Sequence, residues 1–64
     1  MTEREPIRLD QFMKRAGMVQ TGGEAKVVIQ SGQVTLNGEV EVRRSKKLYK
    51  GDVVCYQGVS ATVD

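Results

Sequence analysis

The hydrophobic residues of this chain change rhythm at Gly32-Gln33, and that change decides what it can fold into. Before it, Leu9, Phe12, Met13 and Ala16 fall at i, i+3, i+4 and i+7, and Ala25, Val28, Ile29 and Gly32 repeat the spacing. Each set draws one apolar stripe on a helix of about 3.6 residues per turn. After it, Val34 and Leu36, then Val40 and Val42, alternate with other residues at the period of a strand. Helices this short are not stable alone, so their stripes must meet each other or a sheet. The expected class is α+β: two short packed helices against a small, mostly antiparallel sheet of about four strands.

Local signals place the ends. Asp10 sits in the first turn of the first helix and Lys14 and Arg15 in its last, as the helix dipole favours. Gly17 is the expected left-handed cap. Thr21-Gly22-Gly23-Glu24 is a capping box, in which the Thr21 hydroxyl accepts from the amide of Glu24 and Glu24 reaches back to the amide of Thr21. Gly32 closes the second helix. Residues 1–6 (MTEREP) have no apolar rhythm and read as a flexible tail before a single domain over residues 7–64.

Val34-Thr35-Leu36, Asn37-Gly38 and Val40-Glu41-Val42 carry a hairpin signature. A two-residue Asn-Gly turn would put Val34 and Leu36 on the face of Glu39 and Glu41. A three-residue loop ending at Gly38 would pair Val34 with Val40 and keep the valines together, and it is the favoured register. Leu48 ties the next segment to the core, and Lys50-Gly51-Asp52 reads as a turn. Val53–Tyr56 and Val59–Val63 are two further strands joined by Gln57-Gly58, with Val54, Tyr56, Val59 and Ala61 on one face. Cys55 reads as simple core. Val27, off the second helix's stripe, either packs under the C-terminal strands or stands exposed.

Composition removes most chemistry. A chain of 64 residues makes one domain that buries only about 60% of its unfolded surface, a poor size for a catalytic cleft. Histidine is absent and Cys55 is the lone cysteine, which excludes most metal sites, Cys–His nucleophiles and an internal disulfide. The pattern fits a reducing cytoplasm. Asp10, Glu24, Glu39, Glu41 and Asp52 are scattered and have capping, turn or surface roles at hand. No enzyme, metal or cofactor is expected. No apolar run nears the roughly 18–20 residues of a membrane span, and the N-terminus has no signal-peptide core.

What remains is charge. Residues 43–50 (RRSKKLYK) hold five positive charges and no negative one, whereas residues 1–42 carry five Lys/Arg against six Asp/Glu. A net charge of +2 thus hides one basic patch, the electrostatic footprint of a nucleic-acid binder.

The order of these motifs resembles a known family. Leu9-Asp10, Gly17, Glu24-Ala25-Lys26, Ile29, Gly32-Gln33-Val34, Asn37-Gly38 and Gly51-Asp52-Val53 are similar to the RNA-binding domain named after small-subunit ribosomal protein four, whose helix–helix–hairpin core is the αL motif. The resemblance runs from about Arg8 to Tyr56. The stretches Thr21–Lys26 and Arg43–Tyr49 are similar to its stand-alone bacterial branch, the YbcJ/YaaA-like proteins. It implies non-catalytic binding of structured RNA, ribosomal or transfer RNA, with the ribosome or its precursors as the setting and a monomer as the unit. Many members have Ser-Arg in place of Thr21-Gly22 and a basic residue in place of Thr35. The weight therefore falls on Lys26 and the 43–47 run.

The candidate site follows. Gly22 and Gly23 let a phosphate approach the free first-turn amides of the second helix behind Thr21, and Lys26 and Gln30 share the Gly23 flank of the wheel. Arg43, Arg44, Lys46 and Lys47 supply long-range attraction, the arginines with a fork for phosphate oxygens. Arg8 matches a basic position of the family, and Lys14 either flanks the surface or is a plain helix-end charge. Tyr49 either stacks on a base or is a core or rim tyrosine. The rival reading is a protein-interaction module, the basic run docking on an acidic partner such as a ribosome-maturation or replication protein. Duplex DNA ranks lowest, because neither helix offers an exposed row of groove-reading side chains.

Overall fold

The change of rhythm at residue 32 is where the chain passes from helices to sheet. The computed structural model describes residues 6–64; apart from Pro6, the tail expected over residues 1–6 lies outside them. The elements are β1 (Ile7–Arg8), α1 (Leu9–Arg15), α2 (Gly22–Gln30), β2 (Val34–Leu36), β3 (Glu39–Val40), β4 (Lys47–Leu48), β5 (Val53–Tyr56) and β6 (Val59–Thr62). One antiparallel sheet runs β3-β2-β5-β6, and a separate ribbon pairs β1 with β4. The expected α+β architecture is the one observed. The β1–β4 ribbon, with Ile7 opposite Leu48 and Arg8 opposite Lys47, is an addition the sequence did not signal.

Both helices stop the same way. Gly17 and Gly32 take φ of 81° and 83°. Around each, the two amides that follow the helix turn back onto its last carbonyls: Gly17 N to Lys14 O and Met18 N to Met13 O, then Gly32 N to Ile29 O and Gln33 N to Val28 O. That is the Schellman arrangement, open to glycine because it has no Cβ to clash. At the start of α2 the Thr21 hydroxyl accepts from the Glu24 amide at 3.1 Å. Glu24 reaches back one residue further than expected, accepting from the Gln20 amide at 3.0 Å.

The stripes meet as expected except at Ala16, which lies just past the end of α1 and is exposed, so the first stripe stops at Met13. Leu9, Phe12 and Met13 of α1 and Ala25, Val28 and Ile29 of α2 pack with Val34, Leu48, Val54 and Tyr56 into one core. Burying a side chain such as Leu9 or Ile29 contributes about 1.5–3 kcal/mol. Val19, in the connection between the helices, is buried with them although it belongs to neither stripe.

The hairpin corrects one expectation. Leu36 pairs with Glu39 and Thr35 with Val40, so the loop is the two residues Asn37-Gly38 and not the favoured three-residue loop. Asn37 and Gly38 have φ of 53° and 88°, a type I′ turn whose twist matches that of the strands. Asn37 is locked there by its side chain, whose Oδ1 accepts from Val53 N at 2.9 Å while its Nδ2 donates to Asp52 at 3.2 Å. The cost is that Val40 and Val42 face solvent, Val40 being 61% exposed. Gln57-Gly58 makes the second two-residue turn, and Tyr56 pairs with Val59 as expected. Cys55 pairs with Thr35 and Ser60 and is half-buried, on the strand face opposite that of the buried Val54 and Tyr56, so it is not core.

Candidate nucleic-acid interface

The basic run is not a loose loop. Its backbone caps α1: the amides of Leu9 and Asp10 donate to the carbonyls of Lys46 and Arg44 at 2.9 and 3.1 Å. Arg8 at the N-cap gives α1 no side-chain bond, so these two first-turn amides are satisfied in this way, and a third, Gln11 N, donates to Asp10 Oδ1 at 2.8 Å. Beyond Lys46 the chain pairs with β1 through Lys47-Leu48, and Leu48 is fully buried. Residues 43–48 are therefore held at one end by α1 and at the other by the core, with their charged side chains outward.

Inside this anchor sits an acid. Asp10 is only 6% exposed. Its carboxylate accepts from Arg8 Nη2 at 2.8 Å and lies 4.0 Å from Arg44 Nη1. Arg43 is paired as well: its Nε and its backbone amide both donate to Glu41 Oε2 at 3.1 Å. The side-chain hydrogen bond from Arg43 is the main reason the Glu41 carboxyl lies below its ordinary value, against the opposing pull of desolvation. The same bond raises the Arg43 guanidinium.

Two arginines of the run are thus committed to acids. Among the described residues Lys46, Lys47 and Lys50 have no acidic partner, and all three are exposed or half-exposed. Lys14 and Lys26 likewise have no acidic partner among the described residues, whereas Arg15 pairs with Asp64 at 3.1 Å. No cluster of His, Cys, Asp or Glu able to hold a metal occurs among the described residues. No helix there is long and apolar enough to cross a membrane.

Arg8 and Arg44 therefore meet at Asp10, while Arg43, Lys46, Lys47 and Tyr49 line one groove. Tyr49 is not core: it is 59% exposed. Thr21, Gly22, Gly23, Lys26 and Gln30 form a second, exposed patch at α2. No hydrogen bond or ion pair among the described residues joins that patch to the basic run. A Cβ on Gly22 would meet nothing within 4 Å, and one on Gly23 only Thr21 Oγ1 at 3.9 Å. Packing does not require these glycines. The ion pair of Arg8 with Asp10 had a sequence signal, opposite charges two residues apart, but the role of Asp10 as anchor for the distant Arg44 had none.

A family model described as the S4 domain matches residues 1–64. The chain belongs to the S4 domain family. Within it, the chain is 46% identical over 54 residues to a Bacillus subtilis protein described as a probable ribosome maturation protein, RlbA, covering 84% of this chain and 76% of that one. It is 35% identical over 57 residues to the Escherichia coli putative RNA-binding protein YbcJ, covering 89% and 81%. The solution structure of E. coli YbcJ, reported to reveal an αL motif involved in RNA-binding, superposes with a TM-score of 0.72 at 32% identity over 98% of this chain and 80% of that one. A pseudouridylate synthase superposes with a TM-score of 0.77 at 25% identity, and there the chain spans only 24% of the enzyme.

Proposed function

We propose that this S4 domain binds structured RNA, ribosomal or transfer RNA, as a non-catalytic cytoplasmic monomer. The observation that carries the reading is the run 43–48, whose backbone caps α1 while Lys46 and Lys47 make no ion pair among the described residues. A fixed backbone with unpaired cations suits phosphate recognition, because little order has to be gained on binding. Arg43 and Arg44 keep donors to spare beyond their acids. The unblocked amides at Gly22 and Gly23, with Lys26 beside them, offer a second phosphate contact. The relatives support the same reading, E. coli YbcJ being described as a putative RNA-binding protein and B. subtilis RlbA as a probable ribosome maturation protein.

Recognition on this basis reads shape and backbone charge. Ultraviolet crosslinking in the source cells, followed by sequencing of the recovered RNA, tests it. Reads clustered on one ribosomal or transfer RNA are expected. Recovery at background level would overturn the proposal in favour of docking on an acidic protein.

A further inference from the structure

A groove of about 600 Å³ opens between the β2–β3 hairpin and the basic run, with Asn37 and Glu39 on one side and Lys46, Lys47 and Tyr49 on the other. Its volume lies within the range of small-ligand clefts. Tyr49 stands 59% exposed at this groove, and its hydroxyl has no hydrogen-bond partner among the described residues. An aromatic ring left out of the core of so small a domain needs a reason.

The backbone beneath the ring is unusually well fixed. Residues 49–52 make a turn closed by Asp52 N to Tyr49 O at 3.0 Å, with Gly51 at φ 96°. Gly51 N then donates to Val63 O and Val63 N to Asp52 O, a glycine-led bulge that ties the turn to the last strand's end. The Asp52 carboxylate accepts from the Tyr49 amide at 2.8 Å and from Asn37 at 3.2 Å, tying the turn to the hairpin tip. Tyr49 thus rises from a rigid mount.

The charges in the groove are sorted. The carboxylates of Asp52 and Glu41 are occupied, by Tyr49 N and Asn37 and by Arg43 respectively. Glu39 has no ion-pair partner among the described residues. It would repel a phosphate and accept a base N–H. Lys46 and Lys47 would hold the flanking phosphates.

We infer that this groove takes one unpaired nucleotide, its base stacked on Tyr49, so that the preferred RNA is a duplex interrupted by a bulged base. The inference rests on the RNA-binding reading above and adds the class of RNA. Stacking on an aromatic side chain is worth about a 5- to 150-fold change in affinity.

The test compares two RNA hairpins at fixed salt, one a perfect duplex and one with a single bulged 2-aminopurine. The protein is expected to bind the bulged hairpin at least about fivefold more tightly and to quench the 2-aminopurine fluorescence. Tyr49→Ala should lose both the preference and the quench, and Tyr49→Phe should keep them. Equal affinity of the natural protein for both hairpins, or a preference that survives in Tyr49→Ala, overturns the inference and leaves RNA binding standing. Binding to neither hairpin overturns both.

Discussion

The Asp10 amide donates to the Arg44 carbonyl at 3.1 Å, while the Asp10 carboxylate lies 4.0 Å from the Arg44 guanidinium. One residue of the first helix thus holds both the backbone and the side chain of the basic run. Asp10→Asn keeps the shape and removes the charge that faces Arg8 and Arg44. Losing charge-assisted hydrogen bonds at a nearly buried site should destabilise the fold by about 1–3 kcal/mol. At roughly 4–8 °C per kcal/mol for a domain of this size, calorimetry would show the drop plainly. An unchanged melting temperature would show that the backbone cap alone fixes the loop.

Charge reversal at Arg43 and Arg44 would set new acids beside Glu41 and Asp10 and so would test folding as much as binding. Lys46 and Lys47 are cleaner targets, since both lack acidic partners among the described residues. The Lys46→Ala, Lys47→Ala double variant should keep its circular dichroism and weaken RNA binding. Its dependence of log K on log salt should be shallower by about 1.4–1.8, from roughly 0.7–0.9 per phosphate contact. An unaltered slope would place the phosphate contacts elsewhere.

Gly22 separates stability from binding at α2. A Cβ there meets open space, so Gly22→Ala should leave stability unchanged or raise it by up to about 1 kcal/mol. The same methyl group would stand between a phosphate and the first amides, and RNA affinity should fall. Affinity that rises or stays constant would remove this helix end from the site. Thr21→Ala is the complementary variant: loss of its bond to the Glu24 amide should cost about 0.5–2 kcal/mol in a urea melt.

Glu41 makes the loop sensitive to acid. Its carboxyl is held below the ordinary value of 4.5, chiefly by the hydrogen bond from Arg43. A carboxylate depressed in the folded state stabilises that state above its unfolded value, and the contribution disappears as the pH falls through the folded value. The window therefore lies below pH 4.5, and solvent screening keeps the effect small. Carbon-detected NMR titration of the Glu41 carboxyl should give a midpoint under that value, moving upward in Arg43→Gln. A midpoint that ignores Arg43 would contradict the pairing.

Helices, caps and the strands of the four-stranded sheet were legible because period, glycine placement and the capping box all act within a few residues, whereas the β1–β4 ribbon carried no such local signal. Leu9, Met13, Ala25 and Ile29 sit at 0% exposure, where their spacing put them. The hairpin register was not legible. Hydrophobic pattern argued for keeping Val40 with Val34, but the turn geometry of Asn37-Gly38 and the distant bonds of Asn37 to Asp52 and Val53 decided otherwise. Cys55 went wrong with a related error, since a strand position says nothing about which face is covered. In the candidate site the sequence supplied the charges and their crowding. It could not supply their partners, because Asp10 and Arg44 are brought together only by the fold.

The carbonyls of Arg44 and Lys46 that close the first turn of α1 impose unequal freedom on one short segment. Its length is dictated by the helix it completes: an insertion or deletion between residues 43 and 46 would uncap α1 and undo the ribbon behind it. The side chains of Lys46 and Lys47 answer to no such demand. Varying residues 46 and 47 while conserving that spacing would sample affinities across a series of RNAs without sampling new folds.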